Sequence, residues 1–261
     1  MRFAGICQYD GCNYSGFQSQ KNAISIQDKL ELAISSIGHL NGRINYAGRT
    51  DAGVHATHQV FDFSTSDDRA IHQWFNGINS LLPVDIAVSC IKEAPENFHS
   101  RFDAIDRTYS YVIYTGKTRP TFQRNYVYWE KNEIDLKIMK KEASHLVGTH
   151  NFSSFRGSKC TASNPVRTVK SIEIVKKNNF VIVHLCANAY LYNMVRIIAG
   201  TLISISKGEL TMTMTELLEA KDRNLAGKTV SAKGLFFLGP RYDKSTGIKS
   251  PYSNLKSKFN L

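Results

Sequence analysis

The residues Gly48-Arg49-Thr50-Asp51-Ala52-Gly53-Val54-His55 have the types and spacing that chemistry could use. They offer one carboxylate, Asp51, with the guanidinium of Arg49 just before it. Gly48 and Gly53 let the backbone bend sharply and come close to a ligand. An ionised carboxylate on such a bend can attack a substrate or remove a proton from it. It can equally cap its own turn, which is the plain reading of an isolated loop aspartate.

The flanks suggest how the loop is held. Residues 43–46 (RINY) read as a short strand, and residues 55–63 (HATHQVFDF) as a second, rich in β-branched and aromatic side chains. Asp51 is therefore expected at a strand-to-strand bend, where functional groups are often mounted. Other signatures are missing: the sequence has no Walker loop, no GxGxxG after a strand, no GxSxG and no HExxH. His55 and His58 share a strand at a spacing that turns them to opposite faces, so no metal pair is expected. Catalysis, if present, would rest on Asp51 with no metal and no organic cofactor.

The remaining elements follow from hydrophobic spacing. Arg2–Tyr9 reads as a strand ending at Asp10-Gly11. Ser25, with Asp28 in capping-box position, starts a helix whose buried face is Ile26, Leu30, Ala33, Ile34 and Ile37. A second helix is predicted over about residues 69–79, with Ile71, Trp74, Phe75 and Ile78 inward, and a strand over 86–91. The second half repeats the grammar. A strand over 108–114 precedes a helix marked by Leu136, Met139, Ala143, Leu146 and Val147. Residues 168–175 and 180–187 make a hairpin. A long helix is predicted over about 190–207, stopped by Gly208, then a short one from Thr213 and Glu216 and a strand over 235–238.

This pattern predicts an α+β fold of two similar ferredoxin-like halves, sharing or abutting their mainly antiparallel sheets, with a central catalytic cleft. The expected boundaries are 1–104 for the half carrying the aspartate loop, 105–242 for the second half, and 243–261 for a basic tail.

Composition narrows the partner. Lys and Arg number 33 against 22 Asp and Glu, a formal charge of +11, with a sequence pI near 9.4. That balance points to a polyanion such as nucleic acid, against the alternative of a basic surface that binds nothing. The five cysteines are odd in number, scattered and without a CxxC pair, which fits a reducing compartment. The opening MRFAGICQYDG lacks the apolar core of a signal peptide, and Arg196 interrupts the most apolar stretch, 191–206. A cytoplasmic, soluble protein with no membrane partner is expected.

The motifs carry a resemblance that runs from residue 8 to residue 242. GRTDAGVHA is similar to the active-site motif of the tRNA pseudouridine synthase A family. YDGCNYSGFQSQ, SIQDKLELAI, NSLLPVDIAV and FHSRFDAIDRTYSYVIY resemble that family's first half and centre. GTHNFSSFR, PVRTV, ANAYLYNMVR and LLEAKDRNLAGKTVSAKGLFFL follow in its order. The resemblance implies an isomerase that converts uridine to pseudouridine in the anticodon stem-loop of tRNA, at about positions 38 to 40, without cofactor and as a homodimer. It implies Asp51 as the catalytic carboxylate and Arg49 as the residue that helps flip the target nucleotide. Tyr109 matches the tyrosine that packs on the base, Arg196 the partner of the carboxylate, and Leu235 an apolar residue lining the pocket.

Departures from the family pattern fall around these positions. Phe17 stands where Trp is common, His58 where Gly is common, and Tyr190, Tyr192 and Asn193 replace the usual aromatic and histidine residues. Two rivals are a basic RNA-binding module without catalysis and an enzyme of the same chemistry with another RNA target. The intact set Arg49, Asp51, Tyr109 and Arg196 speaks against the first.

Overall fold

Arg2–Tyr9 is apolar on both faces, and it forms a strand, β1, with a neighbour on each side. A computed structural model describes residues 1–248 and divides them into two units. Met1–Arg107 and the segment from Phe237 onward form the first unit, and Thr108–Phe236 the second. The expected tail falls mostly on residues 249–261, which lie outside the described residues.

The other early strands are β2 (Asn45–Tyr46), β3 (His55–Ser64) and β4 (Ile86–Glu93). Helix α1 is Ile26–Ile37 and α2 is Ile71–Leu81. Ser25 caps α1 as expected: its hydroxyl accepts from the Asp28 N–H, an interaction worth about 1 kcal/mol. The strand order in this unit is β4-β1-β3, with the final strand β10 (Leu235–Arg241) beside β3. β1 pairs antiparallel with both β3 and β4. The core is aromatic, with Phe63 between Phe3 and Trp74 at centroid distances of 5.5 and 5.3 Å. Trp74 and Ile78 face inward on α2, Phe75 is half-buried, and Ile71, at the start of the helix, is exposed.

In the second unit β5 (Asp106–Tyr114), which begins in the first, is followed by β6 (Tyr128–Trp129) and β7 (Gly148–Asn151). The hairpin strands are β8 (Val166–Lys177) and β9 (Phe180–Ala187), paired antiparallel. Asn178 makes their turn at φ 52°, a conformation asparagine tolerates. The strand order is β5-β9-β8-β7, with the short β6 parallel to β5. The helices are α3 (Leu136–Ser144), α4 (Met194–Ser206) and α5 (Met214–Ala220).

Eleven of the thirteen residues of α4 are buried, so it is a core helix with no solvent face. It begins at Met194, four residues later than its apolar pattern suggests, because Asn193 adopts a left-handed φ of 61°. Val147, expected on the inner face of α3, lies past its end and is exposed. The fold is thus α+β, with mainly antiparallel strands and five α-helices among the described residues.

Candidate active site

Residues 47–54 form the loop between β2 and β3, and its side chains divide by role. Thr50 and Val54 are buried and act as pegs, Asp51 is half-buried, and Arg49 is exposed. The Val54 N–H donates to the Asp51 carbonyl at 3.1 Å, which closes a turn. Gly53 completes it at φ 76°, where a Cβ would be strained.

Distant segments fix this turn. The Tyr9 and Thr50 hydroxyls meet at 2.7 Å inside the core. The Phe17 N–H donates to the Thr50 carbonyl at 3.1 Å. The Gln59 side chain, fully buried in β3, accepts from the Gly48 N–H at 3.2 Å and donates to its carbonyl at 2.6 Å. Gly48 is held so close to the Phe237 ring that a Cβ would lie 3.2 Å from it. Phe17 packs between Tyr9 and Tyr46, with centroids at 5.9 and 4.5 Å, so the smaller ring that replaces Trp still fills this support.

The loop is set in positive charge. Burial raises the Tyr46 phenol above its ordinary value, and the neighbouring Arg49, Arg101 and Arg43 oppose the shift. Arg107 donates through Nε to the Ala47 carbonyl at 3.1 Å and through Nη1 to that of Ala104 at 3.0 Å. It also donates to the Arg101 carbonyl. Arg107 thus ties the start of the loop to the segment before β5.

His55, at the start of β3, is buried, and its Nδ1 lies 3.2 Å from the Gly11 N–H and 3.1 Å from an Asp10 oxygen. With Cys12 these groups form a trio whose candidate ligand atoms lie within 4.8 Å of one another. The Asp10 carboxylate already accepts from the Cys12 N–H at 3.0 Å, and so caps the short turn Gly11–Asn13. The trio braces the backbone that borders the loop.

The other expected site residues lie in the second unit. Tyr109, in β5, is buried, and its ring meets Tyr190 edge-on at 5.0 Å. Tyr190 is fixed in turn by donating to the Leu185 carbonyl at 2.7 Å. Arg196 is half-buried in the first turn of α4, beside the buried Leu191, Val195 and Ile198. Its Nε donates to the Val230 carbonyl at 2.7 Å and its Nη1 to Asn193 Oδ1 at 2.8 Å. Asn193, a departure from the family pattern, therefore both opens the helix and orients the arginine. Leu235 is buried at the start of β10.

Sequence reasoning missed Gln59, Thr50, Tyr9 and Arg107 as positioning residues. Only Gln59 carried a signal, as a polar side chain directly before the apolar pair Val60-Phe61 in a strand pattern.

Comparison with known proteins places the chain. The model of a family described as tRNA pseudouridine synthase matches residues 6–103 and 143–243. A tRNA pseudouridine synthase A of Legionella pneumophila (strain Lens) is 39% identical over 249 residues, 95% of each chain. One from Francisella tularensis subsp. tularensis (strain SCHU S4 / Schu 4) is 39% identical over 236 residues, 90% of this chain and 92% of that one. A chain of a solved Cbf5-Nop10-Gar1 complex overlaps 90% of this chain and 48% of its own, at 10% identity and a TM-score of 0.39. With a family model matched in both halves and relatives this similar over nearly full length, the chain belongs to the tRNA pseudouridine synthase A family.

Proposed function

We propose that this protein isomerises uridine to pseudouridine in the anticodon stem-loop of tRNA, at about positions 38 to 40, with Asp51 acting on the ribose. One observation carries the reading: in a chain of this family, a half-buried carboxylate sits on a turn pinned through Thr50, Gly48 and Val54. Pinning of this kind holds a reacting group in one orientation, which is where much of a catalytic advantage arises.

The reaction breaks the N1–C1′ bond of uridine, turns the uracil, and joins C5 to C1′. C5 then loses its proton and N1 gains one, so atoms balance and no energy source is needed. Two routes suit an aspartate. Its oxygen attacks C1′ and is later displaced by C5, or it removes the C2′ proton and later returns it. The target must leave the helix stack to be reached. The family resemblance supports Arg49 in flipping, Tyr109 as the ring beneath the uracil, Leu235 as an apolar wall and Arg196 as the cation that balances Asp51. It also supports a cytoplasmic homodimer.

The test is pseudouridine mapping of tRNA from cells with and without this protein, repeated on a transcript with purified protein. New pseudouridine in the anticodon stem-loop is expected. Binding of the transcript without any pseudouridine would leave a non-catalytic RNA-binding module.

A further inference from the structure

We propose that a basic, aromatic cavity in the second unit is an RNA-contact surface, gripping tRNA backbone and stacking an unpaired base. It has a volume of about 530 Å³, and Arg119, Arg124 and Lys233 line it with Tyr128 and Trp129. No acidic side chain is among the described residues that line it. The three basic groups are exposed, as are Trp129 and the neighbouring Phe122.

The wall is preformed. Trp129 Nε1 donates to the Gly116 carbonyl at 3.0 Å, which leaves the indole with a fixed plane. Lys228 lies 5.9 Å from the centre of the Tyr128 ring. Lys233 Nζ donates to Asn125 at 3.3 Å and Arg124 Nη1 to the Thr121 carbonyl at 2.9 Å, so both cations are oriented while still open to solvent. The segment that supplies Ser231 and Lys233 is anchored by Tyr111, whose hydroxyl donates to the Ser231 carbonyl at 2.8 Å. Val127, which also lines the cavity, packs in a cluster with Val112 and Ile182.

Charge of one sign alone would suit any acidic partner. Cations interleaved with accessible aromatic planes suit nucleic acid in particular, because phosphates meet the cations and bases have a face to stack. The proposal rests on tRNA being the substrate and adds where a part of it is held.

The test uses the full chain with Arg119→Gln, Arg124→Gln and Lys233→Gln combined, and separately Trp129→Ala. All three basic side chains are exposed, so the triple variant should fold, and its melting curve checks this. Its tRNA dissociation constant should rise about tenfold or more, with the log–log salt slope shallower by about 2 to 3. Trp129→Ala should weaken binding about five- to a hundredfold with little change in slope. The single-turnover rate at saturating tRNA should stay close to wild type in both, because neither variant touches the proposed catalytic groups. A triple variant that melts like wild type and binds tRNA with the same affinity and slope overturns the proposal. That result is distinct from a wild type that makes no pseudouridine, since the binding measurement reads the surface whether or not the chemistry occurs.

Discussion

The side-chain amide of Gln59 holds Gly48 by both of its backbone groups, at 3.2 Å to the N–H and 2.6 Å to the carbonyl. It replaces a backbone ladder where the loop leaves β2, and it does so from a fully buried position.

Gln59→Leu keeps the bulk but leaves two backbone groups of Gly48 without these partners. The variant should lose about 2–4 kcal/mol of stability. Thermal melting measures that loss, and single-turnover rates should fall about tenfold or more as the loop loosens. A variant with wild-type melting temperature and rate would show that the loop is held by its other contacts alone.

Asp51→Asn keeps size and removes the negative charge. Pseudouridine formation should drop more than about a hundredfold. Affinity for tRNA should stay near wild type, because it rests on phosphate contacts. Paired turnover and binding measurements on one preparation check both, and residual turnover above a hundredth would remove Asp51 as the essential group.

Arg196 reaches Val230 and Asn193 with different nitrogens of one planar group, a geometry lysine cannot copy. Arg196→Lys should therefore slow turnover strongly, and Asn193→Ala more mildly by freeing the guanidinium. If Arg196 balances Asp51, its loss raises the pH at which activity appears, since the carboxylate then holds its proton more tightly. Single-turnover pH–rate profiles of wild type, Arg196→Lys and Arg196→Ala decide this. Identical midpoints and plateaus would make Arg196 a structural residue only.

His184 is buried in β9 opposite Glu173, with its Nδ1 2.5 Å from the Ser110 hydroxyl. Burial holds its pKa below the ordinary 6.5, and Glu173 opposes the shift. Folding therefore keeps the ring neutral where the unfolded chain would protonate it. This contribution to stability is present above pH 6.5 and is lost as pH falls below it, toward the folded pKa. Denaturant midpoints across this range should decline as the solution is acidified, and His184→Asn should flatten that part of the decline. An unchanged profile in the variant would assign the decline to other groups.

The elements were largely legible because their signals are local. Ser25 with Asp28 marked the start of α1, and Thr213 with Glu216 that of α5, each through contacts within one turn. Asp51 was legible as a bend residue because glycines and flanking strands announce a loop. The late start of α4 was not, since Leu191 and Tyr192 continue the apolar pattern and the break is one backbone angle at Asn193. The supports of the loop were hidden for another reason. Tyr9 meets Thr50, and Arg107 meets Ala47, across separations that no local pattern encodes. The return of Phe237 and its successors to the first unit is of the same kind.

That return has a consequence for synthesis on the ribosome. β3 gains β10 as a neighbour, and Gly48 gains the Phe237 ring, only after all of Thr108–Phe236 has been translated. At ordinary elongation rates the wait is on the order of ten seconds. Through that interval the nascent first unit carries an unpaired strand edge and an aspartate loop missing one wall. The loop therefore acquires this support only after the second unit has been synthesised, and a chain that stops short of Phe237 would carry the Asp51 loop without the ring that lies against Gly48.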